Sequence, residues 1–323
     1  MEKQIKTIGV LTSGGDAPGM NAAVRAVVRA GLHKGFRMIG IQRGYNGLLD
    51  GECFEMNLRS VSNIISAGGT ILYTARCLEF KTKEGQDKGA AKCRELGIDA
   101  LVVIGGDGSF TGAKLLSDEQ GINVVGIPGT IDNDLAYTDY TLGFDTAVNT
   151  VLWAINALRD TMTSHDRVSL VKVMGRRCGD IALYAGICGG AEYILVPEVP
   201  YDIQKIANEI KHNRENGKTA NVIVLAEGAG NENEIKTIVS VISGTDVKVT
   251  TLGHIQRGGS PSMADRMLAA KFGVHAVNLL MEGKTNRVIG CHGQQTIDLD
   301  ISEALAMKKD IDRDLYDMAA KLC

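Results

Sequence analysis

Residues 100–109 read ALVVIGGDGS, an apolar run that ends in three glycines, an aspartate and a serine. A continuous apolar run predicts a strand that is buried on both faces, and such strands are typical of parallel sheets. Comparable runs are IGVL (8–11), NVVGI (123–127), SLVKV (169–173), YILVP (193–197), VIVLAE (222–227) and RVIG (287–290). The sequence therefore predicts a series of buried, mostly parallel strands.

Stretches with helical periodicity separate these runs, for example at residues 20–34, 145–160, 202–216 and 262–281. Alternating strands and helices favour right-handed βαβ units with helices on both faces of the sheet. The 323 residues exceed the length at which a single core usually keeps growing, so two domains are expected. We therefore predict an α/β protein of two Rossmann-like, doubly wound α/β/α domains with mostly parallel sheets.

Composition narrows the function classes. The 39 glycines among 323 residues are more than the usual glycine fraction of about 7% would give. Only 5 prolines are present, and such a composition argues against collagen-like and proline-rich disordered chains. The 35 basic and 38 acidic residues give a net charge of −3, which argues against general binding to nucleic acid or membranes. The glycines therefore need a local explanation.

The cysteines indicate a reducing compartment. They stand at positions 53, 77, 93, 178, 188, 291 and 323, an odd number without a C-x-x-C pair. No apolar run approaches the ~18 residues of a membrane span, and the first residues pass into a strand-like segment without a signal-peptide core. We expect a cytoplasmic protein.

In open parallel sheets, ligands bind beyond the carboxyl ends of the strands, so the loops after the apolar runs should carry the chemistry. The loop TSGGDAPGMN at residues 12–21 leads into a helix. Its glycines allow a backbone amide to approach a phosphate, and the helix N-terminus adds favourable partial charge. A tight strand-to-helix turn is the alternative. The loop lacks G-x-G-x-x-G, which argues against dinucleotide binding and an oxidoreductase.

The loop GGDGS at 105–109 places Asp107 among glycines. Such a carboxylate suits Mg²⁺ beside nucleotide phosphates, and a plain turn is the alternative. Two GKT triplets, at Gly217 and Gly283, resemble part of a Walker A motif, but His212 and Asn278 stand where its first glycine is required. We interpret both triplets as helix-end and turn residues.

The loop PGTIDND at 128–134 carries two carboxylates and a hydroxyl. In an extended segment Thr130, Asp132 and Asp134 would project from one face, because side chains alternate. Like charges this close raise the pKa of one carboxyl towards the useful range of a general base. A cluster of Asx turns is the alternative.

Two further loops combine glycine with cations: MGRRCGD at 174–180 and HIQRGGSP at 254–261. Arginine offers a bidentate fork to an oxyanion, so these loops suit phosphate or sugar hydroxyls. Ser260 and Pro261 also fit the N-cap and the first position of the next helix. For His254 alone a structural role is the alternative, and its pairing with Arg257 favours binding.

Seven motifs in one order cover essentially the whole chain: TSGGDAPGMN, GGTILYTAR (68–76), IGGDGS, PGTIDND, MGRRCGD, VLAEG (224–228) and GHIQRGGSP. This ordered set resembles the bacterial ATP-dependent 6-phosphofructokinase family. The resemblance implies a phosphotransferase with an alcohol acceptor. It would move the ATP γ-phosphoryl group, with Mg²⁺, to the 1-hydroxyl of fructose 6-phosphate, giving fructose 1,6-bisphosphate and ADP, the committed step of glycolysis. It also implies an allosteric homotetramer with active sites between subunits.

The resemblance also implies roles for individual positions. Asp132 would be the general base, aided by Thr130, Asp134, Arg76 and Arg176. The implied ATP pocket comprises Gly15, Tyr45, Arg76, Cys77, Gly106, Asp107, Gly108 and Ser109, with Asp107 positioning Mg²⁺. The implied sugar-phosphate contacts are Thr130, Asp132, Met174, Gly175, Arg176, Glu227, His254 and Arg257, with Arg167 and Lys248 contributed by a neighbouring subunit.

By the same resemblance, residues 1–142 plus 255–306 would bind ATP, and 143–254 plus 307–323 would bind fructose 6-phosphate. An effector site for ADP or phosphoenolpyruvate is implied only in part. Its matching positions are Arg25, Arg29, Arg159, Gly190, Glu192 and Lys218. Asn216, Thr219 and Ala220 stand where basic residues or histidine are frequent, and Leu58 replaces an arginine of some members. We expect weakened or altered allosteric control.

Position 248 is a departure, because the family's familiar arginine is Lys248 here. Lysine keeps the charge but loses the bidentate fork, which predicts weaker binding of the sugar phosphate. Two alternatives concern function. Pyrophosphate-dependent homologues typically carry Asp at position 108 and Lys at 129, whereas both residues are glycine here, which favours ATP. A non-catalytic homologue that senses nucleotide or sugar phosphate would have eroded Asp107, Thr130, Asp132 or Arg176, and all four are intact.

Overall fold

The computed structural model describes residues 5–165, 167–218 and 220–322, with the backbone only at residue 163. The chain forms two compact units. The first comprises the residues up to Ile131, Leu135–Thr146 and Arg257–Lys308; the second comprises Asp132–Asp134, Ala147–Gln256 and the residues from Lys309 onward. The assignment of ATP to one domain and fructose 6-phosphate to the other stays a prediction.

Strands and helices alternate along most of the chain. The strands are β1 (Thr7–Thr12), β2 (Arg37–Ile41), β3 (Cys53–Met56), β4 (Ala100–Gly105), β5 (Asn123–Pro128), β6 (Val168–Val173), β7 (Tyr193–Leu195), β8 (Asn221–Ala226), β9 (Val247–Thr251), β10 (Arg287–His292) and β11 (Gln295–Asp300). The helices are α1 (Met20–His33), α2 (Gly44–Asp50), α3 (Lys83–Glu95), α4 (Asp107–Gln120), α5 (Phe144–Thr163), α6 (Asp180–Cys188), α7 (Ile203–Glu215), α8 (Glu232–Ser243), α9 (Met263–Met281), α10 (Ile301–Ala306) and α11 (Arg313–Leu322). Short 3₁₀ turns cover Glu79–Lys81 and Gly253–Arg257.

The first unit is built on a seven-stranded sheet in the order β11-β10-β5-β4-β1-β2-β3. Its five inner strands are parallel, while β3 and β11 are antiparallel edges. The register pairs Thr12 with Ile104 and Gly105 with Pro128, so β1, β4 and β5 end at one edge of the sheet. The three glycine-containing loops that follow these strands therefore emerge side by side.

The second unit is built on a four-stranded parallel sheet in the order β7-β8-β6-β9. Leu170, Ile223 and Leu225 of this sheet are buried with Ile206 of α7 and Val239 of α8. Burying side chains of this size stabilises a fold by about 1.5–3 kcal/mol each. The loops after β6, β8 and β9 again emerge at one edge, because these strands run in the same direction in register.

The predicted fold class is confirmed: both units are α/β, with one mixed and mostly parallel sheet and one parallel sheet. Each apolar run quoted above overlaps a strand of the structure. The strand in the run at 193–197 is shorter than predicted, because β7 ends at Leu195. Within the described ranges, no helix has both the length and the apolar composition needed to cross a bilayer.

Candidate functional site

A glycine-rich cluster, defined by Gly15, Gly106, Asp107, Gly108 and Thr130, occupies the carboxyl edge of the sheet in the first unit. Two backbone hydrogen bonds fix its loops: the Ser13 amide donates to the Ile104 carbonyl (2.9 Å), and the Gly129 amide donates to the Gly105 carbonyl (2.9 Å). The loops are thereby held as continuations of the strands. Three of the motifs singled out in the sequence meet here.

The N-terminus of α4 faces outward in this cluster. Gly106 is its N-cap and makes no side-chain capping bond, and Asp107 and Gly108 are exposed in its first turn. The 14-residue helix concentrates partial positive charge at this end, which favours a phosphate group. A Cβ atom added at Gly108 would meet no atom within 4 Å. The start of α4 therefore offers open space as well as favourable charge.

Tyr45 supports α4 from within the core. Its side chain is buried and stacks on Phe80 with ring centroids 4.0 Å apart, and its hydroxyl donates to the Ser109 carbonyl at 2.6 Å. Burial raises the pKa of the tyrosine hydroxyl far above its usual range. Cys77 lies half-buried beside the same core, and burial raises the pKa of its thiol as well. Arg76 is exposed, and its carbonyl accepts a hydrogen bond from Asn46 Nδ2 (3.2 Å).

The two glycines that favour ATP have different surroundings. Gly108 faces open space, but a Cβ atom at Gly129 would lie 3.0 Å from Ile104 Cγ2 and 3.1 Å from Met20 Cε. A longer side chain at position 129 would therefore displace core atoms. The predicted role of Gly108 in leaving room for a donor agrees with its exposure, whereas Gly129 also has a packing role that the sequence did not indicate.

Arg257 lies in the first unit, beside the glycine-rich cluster. A Cβ atom at Gly15 would be 3.1 Å from Arg257 Cζ, so the guanidinium group packs against this glycine.

The expectation that Ser260 caps the following helix is wrong: α9 is capped by Ser262, whose Oγ accepts from the Asp265 amide at 3.2 Å. Ser260 Oγ instead donates to the Ser66 carbonyl (2.7 Å), which ties two loops together.

A carboxylate–arginine cluster, defined by Asp132, Asp134 and Arg176, lies in the second unit. Arg176 Nε is 3.1 Å from Asp132 Oδ2, and Arg176 Nη1 is 3.9 Å from Asp134 Oδ2. The Asp132 side chain is 3% exposed, whereas that of Arg176 is 60% exposed. The cation thus faces one buried and one half-buried carboxylate while keeping a face towards solvent.

The predicted extended conformation of residues 130–134 is wrong. Asn133 has a left-handed backbone (φ 52°), so simple alternation does not place Asp132 and Asp134 on one face. Both carboxylates nevertheless meet Arg176, because Arg176 itself has a left-handed backbone (φ 53°) in a loop that turns towards them. Burial raises the pKa of the Asp134 carboxyl, and the Arg176 guanidinium opposes that rise.

Other sugar-side candidates lie in the same unit as Arg176. Its amide donates to Glu227 Oε1 at 2.7 Å, and the Met174 amide donates to Gln256 Oε1 at 3.2 Å. Gly175 has φ 129°, and a Cβ atom there would be 2.4 Å from the Cys178 carbonyl oxygen, so a side chain at position 175 is not tolerated. His254 is exposed in the 3₁₀ turn Gly253–Arg257.

Arg167 and Lys248 do not join this cluster. Both pair with Asp246, at 3.4 Å from Arg167 Nε and 3.0 Å from Lys248 Nζ, and the Lys248 ammonium holds the pKa of the Asp246 carboxyl below its usual range. Arg167 precedes the six-residue strand β6, while Met174 follows it. At about 3.3 Å per residue, roughly 20 Å of strand separates these two ends. The two cations therefore lie at the amino edge of the sheet.

Four of the implied effector residues, Arg159, Gly190, Glu192 and Lys218, meet in the second unit. The Arg159 guanidinium donates to the carbonyls of Gly189 and Gly190, and its Nη1 is 3.8 Å from Glu192 Oε1. Lys218 Nζ is 3.5 Å from the same Glu192 oxygen. Glu192 thus lies between two cations.

The remaining implied effector residues lie elsewhere. Arg25 and Arg29 belong to α1 of the first unit, one half-buried and the other exposed. The Asn216 side chain bonds the His212 carbonyl at 2.9 Å, Ala220 is half-buried and Leu58 is exposed. Position 219 lies outside the described residues.

Asn133 and its partners are functional candidates that the sequence reasoning missed. Asn133 Nδ2 donates to Asp180 Oδ2 (2.8 Å), and Lys309 Nζ lies 3.3 Å from that same oxygen. Asp180 stands in the quoted MGRRCGD motif, but nothing in the pattern indicates its partner, and Lys309 lies in no motif. Only the tertiary structure brings these three residues together.

The residues that the structure describes contain no group of three His, Cys, Asp or Glu side chains arranged to hold a metal ion. Mg²⁺ in kinase sites is commonly bound through one or two carboxylates together with substrate phosphates and waters, rather than by an all-protein cage. An exposed Asp107 at the start of α4 fits that pattern.

Comparisons with known proteins agree among themselves. The phosphofructokinase family model matches residues 7–280. Proteins named ATP-dependent 6-phosphofructokinase from Clostridium botulinum (strain Loch Maree / Type A3) and Clostridium tetani (strain Massachusetts / E88) are each 59% identical over 318 residues, covering 98% of this chain and 99% of the relative.

Solved structures of phosphofructokinases also match this chain. Phosphofructokinase from Saccharomyces cerevisiae matches with a TM-score of 0.87 at 40% identity, over 93% of this chain and 45% of that chain. The Pichia pastoris enzyme in the T-state matches with a TM-score of 0.87 at 38% identity, over 94% of this chain and 38% of that chain. This chain thus spans less than half of either yeast chain. A pyrophosphate-dependent phosphofructokinase from Marinobacter aquaeolei (TM-score 0.86, 22% identity, 98% of this chain, 91% of that chain) shares the fold.

Proposed function

The chain belongs to the phosphofructokinase family, and from this premise we propose that it transfers the γ-phosphoryl group of ATP to the 1-hydroxyl of fructose 6-phosphate. The products are fructose 1,6-bisphosphate and ADP. The observation that carries the proposal is the buried Asp132 carboxylate, held 3.1 Å from the exposed guanidinium of Arg176. This pair combines a proton acceptor with a cation that can face a phosphoryl group.

Asp132 is the general base of the proposed reaction. As the 1-hydroxyl oxygen attacks the γ-phosphorus, its proton passes to the Asp132 carboxylate, and ADP leaves. The Arg176 guanidinium lies 3.1 Å from this carboxylate and is mostly exposed, so it can also meet the charge of a substrate phosphoryl group. Thr130 and Asp134 flank the base along the chain. Alignment and charge neutralisation account for most catalysis of phosphoryl transfer.

The glycine-rich cluster is the proposed site for the triphosphate. The N-terminus of α4 supplies backbone amides and partial positive charge, and Gly108 leaves room for phosphate oxygens. Arg257 lies on Gly15 and adds a full positive charge beside this cluster. Arg76 adds an exposed cation after the GGTILYTA segment. The open space at Gly108 supports ATP over pyrophosphate as the donor.

Asp107 would hold the Mg²⁺ ion that accompanies ATP. When bound, the ion neutralises charge on the phosphate oxygens. The Asp107 carboxylate is exposed at the first position of α4, so it can reach an ion beside the phosphates without leaving the helix. The backbone carbonyl of Asp107 accepts a hydrogen bond from Thr111 Oγ1 (2.9 Å), which steadies this turn.

The sugar phosphate is proposed to contact Met174, Gly175, Glu227 and His254. Arg167 and Lys248 are proposed to reach the 6-phosphate of a neighbouring subunit in a homotetramer. Their location at the amino edge of the sheet supports this, since they stand about 20 Å of strand away from Met174. A protomer therefore gives and receives parts of the sugar site.

We also propose a partial effector site at Arg159, Glu192 and Lys218, with Arg25, Arg29 and Gly190, for ADP or phosphoenolpyruvate. The Glu192 carboxylate between two cations lowers the positive charge that an anionic effector would meet. Fewer free cations leave less binding energy to distinguish two conformational states. The protein is proposed to work in the cytoplasm.

The test is an initial-rate assay of ADP formation with fructose 6-phosphate, ATP and Mg²⁺, run beside an assay of sugar phosphorylation with pyrophosphate. We expect turnover with ATP and none with pyrophosphate. Turnover with pyrophosphate alone would assign the chain to pyrophosphate-dependent enzymes. Binding of nucleotide and sugar phosphate without turnover would assign it a sensing role.

A further inference from the structure

Asn133 separates the two carboxylates of the carboxylate–arginine cluster, and its backbone is unusual. Its φ of 52° lies in the left-handed region, and its side chain is 1% exposed. Asparagine tolerates this conformation better than most residues, but it still costs free energy. The directions of Asp132 and Asp134 depend on this backbone, because both are covalent neighbours of Asn133.

Asp180 fixes the Asn133 side chain. Asn133 Nδ2 donates to Asp180 Oδ2 at 2.8 Å, and Asp180 is 4% exposed in the first turn of α6. A hydrogen bond to a charged, buried acceptor is stronger than one between neutral groups, because little water competes for it. This bond is therefore a strong restraint on the residue between the two carboxylates.

Lys309 forms an ion pair with the buried Asp180. Its Nζ lies 3.3 Å from Asp180 Oδ2, with 22% of the lysine side chain exposed. Burying a carboxylate without a cation or hydrogen-bond partner is costly, so the contact with Lys309 offsets part of the cost of burying Asp180. Lys309 begins the C-terminal segment of the second unit, so this segment contributes to residues far away in the sequence.

One short segment, residues 176–180, makes contacts on both sides of Asn133. Arg176 at its beginning pairs with Asp132 and Asp134, and Asp180 at its end bonds Asn133. Cys178 Sγ, between them, is 3.8 Å from the Asn133 carbonyl oxygen. The loop bearing the carboxylates is therefore held at several points by a single neighbour.

We propose that Asp180 is a positioning residue: through Asn133 it fixes Asp132 and Asp134 against Arg176, and Lys309 pairs with Asp180 in its buried place. The proposal rests on the proposed phosphoryl transfer for its catalytic consequence. A misplacement of about 1 Å in a reacting group can cost up to about a hundred-fold in rate. The consequence belongs to kcat, because neither Asp180 nor Lys309 is among the residues that would touch ATP.

The experiment compares Asp180→Ala, Asn133→Gly and the double variant with wild type. Glycine at 133 retains access to the left-handed backbone but removes the anchoring amide. Asp314→Ala is the matched control, because it also removes an aspartate from the first turn of a helix, α11, at an exposed position. The readouts are kcat, the KM for each substrate, the melting temperature, and hydrogen exchange of peptides covering residues 128–136.

We expect Asp180→Ala to lower kcat by about ten- to a hundred-fold, to leave the KM for ATP within two-fold, and to accelerate exchange at residues 128–136. Asn133→Gly should have a similar effect. The double variant should be no worse than the poorer single variant, since both remove one bond. Lys309→Met should lower kcat in the same sense, and Lys309→Arg should restore most of it. Asp314→Ala should match wild type.

The proposal would be overturned by a folded Asp180→Ala protein with kcat within two-fold of wild type, or by additive losses in the double variant. Exchange at 128–136 that equals the wild-type rate would do so as well. The exchange measurement needs no turnover. If the wild-type protein lacks phosphofructokinase activity, the proposed function fails, while exchange still decides whether Asp180 orders this loop.

Discussion

Arg176 Nε lies 3.1 Å from Asp132 Oδ2, although the arginine side chain is mostly exposed and the aspartate is almost completely buried. The pair joins a loop after β6 to the short segment Asp132–Asp134 within the second unit. The buried member is protected from water, which suits proton transfer, and the exposed member can meet substrate.

Asp132→Asn removes the proton acceptor while nearly preserving shape. We expect kcat to fall by about 10²–10⁴, the range for a lost general base, with ATP binding retained. Initial rates and ATP binding by calorimetry test this, with Asp314→Asn as an exposed aspartate control. A kcat close to that of wild type would mean that Asp132 has another role.

Lys248→Arg restores a bidentate fork at the proposed 6-phosphate contact. We expect a lower KM for fructose 6-phosphate and little change in kcat, because the contact is made equally in the ground and transition states. Lys248→Met should raise the same KM. Saturation curves for the sugar at fixed ATP measure both effects, and an unchanged KM in Lys248→Arg would count against the role.

Gly108→Asp places a carboxylate in the open space at the start of α4. The Cβ atom meets nothing within 4 Å, so we expect the melting temperature to stay near that of wild type. The KM for ATP should rise, because the new charge repels the triphosphate. Gly108→Ala is the control for bulk without charge. Equal ATP saturation in wild type and Gly108→Asp would remove position 108 from the donor site.

Gly129→Ala tests packing at the other diagnostic glycine. The added Cβ atom would lie 3.0 Å from Ile104 Cγ2 and 3.1 Å from Met20 Cε, tighter than ordinary contact. Overpacking of this kind typically lowers the free energy of unfolding by about 1–3 kcal/mol. Urea titration of both proteins measures this change in the free energy of unfolding. Gly121→Ala does not serve as a control, because Gly121 has a positive φ that alanine rarely adopts. Unchanged stability would mean that the neighbours yield at little cost.

Effector control should be weak. Glu192 is already flanked by Arg159 and Lys218, and Asn216 and Ala220 add no charge. We expect a nearly hyperbolic dependence of rate on fructose 6-phosphate, with small responses to ADP and phosphoenolpyruvate. Rate curves with and without each effector test this. A strongly sigmoidal curve that low ADP relieves would refute it.

The fold followed from the sequence because strands buried on both faces need continuous apolar runs, and those runs are visible. The quoted runs did not include β2 or β9. The antiparallel edge strands β3 and β11 were also missed, because CFEM and QTIDLD are only partly buried and carry no continuous apolar run. The helix cap at Ser262 was missed because Ser260-Pro261 offered a competing signal two residues earlier.

The site was predictable only as a set of loops. The conformation of Asn133 was not, because its left-handed backbone is fixed by Asp180, a partner 47 residues away in sequence. The contact between Arg257 and Gly15 could not be predicted from the sequence either, because Arg257 was expected to contact the sugar phosphate. Loop identity is local information, whereas side-chain partners across loops are decided by tertiary structure.

The pairing of Arg167 and Lys248 with Asp246 at the amino edge of the sheet has a consequence for concentration. If these cations act on the sugar phosphate of a neighbour, an isolated protomer carries a complete base and an incomplete anion site. Dilution below the dissociation constant of the assembly should then lower activity per chain, mainly through affinity for the sugar. Assembly would serve this enzyme as part of substrate recognition.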